Sequence, residues 1–153
     1  MFTLNKYIIL VVIFLLLTAG FCTEVGYAPD YIRVYNNTSD TIYVAYYWDA
    51  NNNKPTSVKE LFKESGHENT GTPFVKLAPE SFHEYGVRYS FLEEKQPDIL
   101  FFINEYETMN GYSRDELINL NILDKCYEVP YIDIVGMEYT FKYDGKPNKY
   151  LMQ

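Results

Sequence analysis

Cysteine, histidine and clustered basic residues are all scarce in this chain, and each scarcity removes a class of function. Among 153 residues the only cysteines are Cys22 and Cys126, too few for a disulfide-stapled scaffold. Their spacing is also unlike the close Cys or His pairs of a zinc site. His67 and His83 are the only histidines. A zinc centre draws on three or four converging ligands, and His83 and Glu84, as neighbours on an expected strand, point to opposite faces. No metal and no cofactor is therefore expected. The 13 Lys and Arg residues stand singly against 21 Asp and Glu, for a formal net charge of -8. Nucleic-acid binding needs basic residues clustered to displace counterions, so that class is excluded, and anionic lipid surfaces are disfavoured for the same reason. No Gly-x-Ser-x-Gly elbow surrounds Ser57, Ser65, Ser81, Ser90 or Ser113, and Ser57 and Ser113 have the spacing of helix caps. The paired acids Glu93-Glu94 and Asp115-Glu116 read as solvated surface, and Cys126 has no histidine near it in sequence. A catalytic site is not expected.

What the chain does have begins at its N-terminus. Lys6 precedes an uninterrupted apolar run from Tyr7 to Leu17, followed by the small residues Thr18, Ala19 and Gly20. A positive start, an apolar stretch of about 7 to 15 residues and a small-residue exit make a secretory signal, whereas a spanning helix needs about 20 apolar residues. Residues 1–21 are accordingly read as a signal peptide, 22–30 as a linker and 31–153 as one β-rich domain. Ala19-Gly20-Phe21-Cys22 resembles a bacterial lipobox, which makes Cys22 a candidate lipidation site. Phe21 stands where that motif carries a small residue, so ordinary cleavage after Gly20 is the alternative. Cys22 would then remain as a partner for Cys126 in an oxidising compartment, a pairing that sequence does not establish.

The remainder is rich in rings, with 16 tyrosines and 10 phenylalanines, and has enough apolar area to offset chain entropy. From Tyr31 the pattern alternates: Ile32 and Val34 point one way, and Tyr31, Arg33 and Tyr35 the other. The polar cluster Asn36-Asn37-Thr38-Ser39-Asp40 predicts a turn, and a second alternating strand over Thr41 to Trp48 then predicts a hairpin. On it Ile42, Val44, Tyr46 and Trp48 share one face, and Tyr43, Ala45 and Tyr47 the other. Ser57 to Glu60 has the capping-box spacing for a short helix through Phe62 that Gly66 stops. Short strands are expected over Phe74 to Leu77 and Phe82 to Val87, with Arg88 to Lys95 ambiguous. Asp98 to Ile103 is apolar on both faces and reads as the central strand. Asn110-Gly111 predicts a turn, and Ser113 to Glu116 a second capping box before a helix carrying Leu117, Ile118, Leu120 and Ile122. Two last strands are expected, around Cys126 to Ile134 and from Met137 to Tyr143, ending at Asp144-Gly145. The expected fold is mostly β: a two-layer antiparallel β-sandwich, immunoglobulin-like, with one or two short helical insertions, an α+β arrangement being the alternative.

Three stretches, Tyr31 to Val44, Asp98 to Ile103 and Tyr112 to Asn121, carry a resemblance to a family of small exported immunoglobulin-like proteins of gut bacteria, many of them lipoproteins. It covers most of the chain after the leader. These are structural patterns, and the resemblance implies export to the cell envelope, or secretion, without implying a catalytic residue.

One surface has functional content. Tyr31, Tyr35, Tyr43 and Tyr47 are expected to project from one side of the first hairpin, and tyrosine suits glycan stacking or a protein interface; burial under a second layer is the bland alternative. The leading expectation is an exported, non-enzymatic, envelope-associated domain binding another protein or a glycan, with membrane contact only through a lipid anchor or the signal segment. The alternatives are a glycan-binding module of polysaccharide-uptake machinery and a small carboxylate-dependent hydrolase.

Overall fold

The computed structural model describes residues 31–48, 54–66, 71–87 and 96–152. The expected signal peptide, Cys22, the linker, His67, Ser90, Glu93-Glu94 and the ambiguous Arg88 to Lys95 stretch lie outside the described residues.

The elements run β1 (Tyr31–Asn36), β2 (Ile42–Trp48), α1 (Val58–Glu64), β3 (Val75–Leu77), β4 (Phe82–Gly86), β5 (Ile99–Glu105), α2 (Tyr106–Gly111), α3 (Arg114–Asn119), β6 (Lys125–Val129), α4 (Tyr131–Gly136) and β7 (Thr140–Tyr143). The strands form a three-stranded sheet in the order β4-β1-β7 and a four-stranded sheet in the order β3-β2-β5-β6. This is the mostly-β sandwich with short helices that the alternation predicts. All pairings are antiparallel except β1 with β7, which run parallel through Arg33 opposite Thr140 and Tyr35 opposite Lys142.

The predicted faces hold. Ile32 and Val34 of β1 meet Ile42 and Val44 of β2 in the core between the sheets, joined by Ile99, Phe101 and Ile103 of β5 and by Tyr127, Phe141 and Tyr143. Phe101 and Phe141 tie the sheets together as a stacked ring pair, centroids 4.6 Å apart. The Tyr85 hydroxyl crosses the core to donate to the Val44 carbonyl at 2.9 Å, so this buried polar group is satisfied. Strand β5 is buried on both faces, as a central strand should be. The second face of this sheet, with Ala45 of β2 and Leu100 and Phe102 of β5, packs on Val58, Leu61 and Phe62 of α1 and on Phe74. The four-stranded sheet therefore sits between the other sheet and a helical layer.

Both predicted caps form. The Ser57 hydroxyl accepts from the Glu60 N–H at 3.2 Å, and Gly66, at φ +77, closes the end of α1. Ser113 and Glu116 make a reciprocal capping box at the start of α3. Asn121 follows that helix in the left-handed region and accepts from the Val58 N–H at 2.7 Å, fastening one helix start to the other helix end.

Four local expectations are corrected. β1 and β2 do not form a hairpin; the Asn36 to Asp40 turn carries the chain from one sheet to the other. Asn36 is the reason, because its buried amide donates to the carbonyls of Asp40 and Ala78 at 2.8 and 3.0 Å and to that of Leu77 at 3.3 Å. It thereby fixes a corner at which two successive strand pairs change sheet. The strand expected over Cys126 to Ile134 stops at Val129, since Pro130 has no N–H for a ladder and its φ of -57 opens α4 instead. The next strand starts at Thr140 rather than Met137 because Glu138 and Tyr139 are left-handed, at φ 52 and 57. Asn110 and Gly111 end the unforeseen helix α2, which buries none of its residues and so leaves no apolar stripe to read. Among the described residues no helix is long and apolar enough to cross a membrane.

Candidate functional site

Because β1 and β2 belong to different sheets, the four tyrosines expected on one hairpin face are divided. Tyr43 and Tyr47 pack against the cluster beneath the helical layer, where Ala45 and Leu100 anchor it. Tyr31 and Tyr35 lie on the outer face of the three-stranded sheet. There the register sets Tyr35 beside Phe82 on β4 and Lys142 on β7, and Arg33 beside Glu84 and Thr140. Residues paired across a ladder share a face, so these three strands build one surface that no single segment contains.

Arg33 is its centre. Its guanidinium lies 4.5 Å from the Phe82 ring centroid and 5.2 Å from that of Tyr31, and Nη2 is ion-paired to Glu84. The Glu84 carboxylate raises the Arg33 pKa, so the cation is fixed in charge as well as in place. Nε is shielded from water without a hydrogen-bond partner, and Nη1 has none among the described residues. Phe82 is 52% exposed although it is a large apolar side chain at the end of a strand. A groove of about 920 Å³ extends from Arg33, Tyr35 and Phe82 across β7 to Glu138, Asn148 and Tyr150. An open aromatic groove bordered by a few fixed polar groups suits ligand binding.

A second groove, of about 890 Å³, lies at the end of the sandwich between the Asn37 to Ile42 turn, Glu105 and Lys125. Lys125 uses its ammonium on Tyr143 Oη at 2.8 Å, Gly145 O at 3.1 Å and Glu105 at 3.3 Å, which makes it a structural tie. Acidic residues converge elsewhere, where Lys54 binds both Asp98, at 2.8 Å, and Glu128. The Lys54 hydrogen bond holds the Asp98 carboxyl below its usual range. A glycosidase pair needs one carboxyl kept protonated as an acid, and this lysine opposes that for Asp98.

Apart from Glu84, which pairs with Arg33 on this face, the other residues singled out in sequence lie away from the groove. His83 is half-buried, edge-on to Tyr85 at 4.6 Å between ring centroids, while Glu84 faces the opposite side of β4 as expected. Among the described residues no group of three or more His, Cys, Asp or Glu side chains could hold a metal. Cys126 packs on β6 as a free thiol, 3.4 Å from the Met152 sulfur, and burial pushes its pKa up to about 12. Ser57 and Ser113 cap helices, while the Ser65 and Ser81 hydroxyls donate to nearby backbone carbonyls.

Sequence reasoning missed Arg33, Phe82, Lys142 and Tyr150. The alternation of Phe82 and Glu84 against His83 and Tyr85 carried part of the signal, but only strand order sets that face beside β1. No protein-family model matches the chain, and neither a curated protein nor a solved structure matches it.

Proposed function

We propose that this chain is an exported, non-enzymatic, envelope-associated domain that binds another macromolecule on the outer face of its three-stranded sheet. Export rests on the signal pattern before Phe21, and tethering on the lipobox-like Ala19-Gly20-Phe21-Cys22, in keeping with the exported immunoglobulin-like proteins it resembles. The observation that carries the binding role is the Arg33, Phe82 and Tyr35 surface. The four-stranded sheet has its outer face covered by a helical layer, and the described residues contain no such layer over this one. An exposed phenylalanine held by a stacked, ion-paired arginine puts apolar area in water with its geometry already fixed, which lowers the ordering cost of binding.

The test is site-specific photo-crosslinking in the native host, with benzoylphenylalanine at position 82 and, as a control, at the exposed Lys59 of α1. Adducts at 82 that are absent at 59 support the role; equal labelling at both positions refutes it. Intact-mass analysis of the membrane and soluble fractions of that host tests the address, with a mature chain beginning at diacylated Cys22 expected.

A further inference from the structure

Resting on that reading of the face, we infer that its ligand is a neutral carbohydrate. Tyr35 and Phe82 are direct partners across the β1–β4 ladder, and side chains so paired lie about 5 Å apart at Cβ. Both line the groove; Arg33 covers one face of the Phe82 ring, and the half-exposed Phe82 leaves apolar aromatic area on which the C–H face of a pyranose can rest. Beside it the Arg33–Glu84 pair presents a fixed donor and a fixed acceptor side by side, with Arg33 Nη1 unspent. Vicinal hydroxyls, each both donor and acceptor, match that arrangement.

Charge decides between ligand classes. The cations Arg33 and Lys142 are offset by Glu84 and Glu138, so the face has no net charge, while the chain as a whole carries -8. A polyanion gains nothing at such a face and is repelled by the rest of the molecule. A protein hot spot seats its anchor in a closed, fully desolvated pocket, whereas this groove is open and polar at its rim.

The test is retention of the full mature protein in affinity electrophoresis through gels containing neutral polysaccharides (laminarin, mannan, xylan, starch) or the anionic polygalacturonate. Retardation by at least one neutral polymer is expected, almost unchanged between 50 and 500 mM NaCl. Phe82→Ala should weaken it about tenfold or more, Phe82→Trp should keep it, and Tyr43→Ala, under the helical layer, should leave it unchanged. Since Phe82 is half exposed, its variants should fold, which thermal melting checks. No retardation by any neutral polymer, retardation by polygalacturonate alone, or equal retention by Phe82→Ala overturns the inference. If crosslinking at position 82 captures a polypeptide while all neutral polymers fail, the carbohydrate inference falls and the binding face stands. If position 82 also crosslinks nothing beyond the control, both fall.

Discussion

Replacing Asn36 with alanine should destabilise the fold by about 3 kcal/mol, because one buried amide serves five partners at the corner where the chain changes sheets. Its Nδ2 donates to Asp40 O at 2.8 Å and Ala78 O at 3.0 Å, with Leu77 O sharing at 3.3 Å, and its Oδ1 accepts from Thr38 Oγ1 at 2.7 Å and Thr38 N at 3.1 Å. A net hydrogen bond contributes about 1 kcal/mol, so four good bonds suggest about 4 kcal/mol. Thr38 and Asp40 sit at the surface and can turn to water, which returns part of that. The bond to Leu77 O is buried, so water does not replace it when the amide is removed. Equilibrium urea unfolding, followed by circular dichroism and by the fluorescence of Trp48, the single tryptophan, measures the difference. Asn37→Ala, at the exposed neighbouring position, is the control and should stay within about 0.5 kcal/mol. A loss under about 1 kcal/mol for Asn36→Ala, with an unchanged urea dependence, would refute the account of the corner.

Two further outcomes follow from the charges and the thiol. Asp98 has its pKa lowered by Lys54, so the stability this ion pair supplies is present above the ordinary carboxylate pKa of about 4 and is lost as pH falls through the lowered folded value. Lys54→Met should return the Asp98 titration, read by NMR, to the ordinary range and should cost stability at pH 7 but not at pH 2; an unmoved titration would show that Lys54 is not the cause. With its pKa pushed up to about 12, Cys126 should alkylate at least tenfold more slowly in the native protein at pH 8 than in 8 M urea, as read on its tryptic peptide, and equal rates would contradict its burial.

Local pattern was enough to define the elements wherever one face of a segment is apolar. Ile32 and Val34, Ile42 to Trp48, and the two-sided Ile99 to Ile103 are read correctly because the period-two alternation, or its absence, follows directly from which faces meet the core. The caps at Ser57 and Ser113 are equally legible, being interactions within four residues. Tertiary structure alone decided which strands are neighbours. Alternation tells which way Tyr35 points but not that Phe82, 47 positions on, points with it from the next strand. The polar turn from Asn36 to Asp40 suits a hairpin or a change of sheet equally well by composition. The choice is made by the buried Asn36 amide, whose partners Leu77 and Ala78 come from a distant segment. The candidate site is built across three strands by that choice, so sequence determined the ingredients of the face and the pairing of β1 with β4 and β7 determined that they form one.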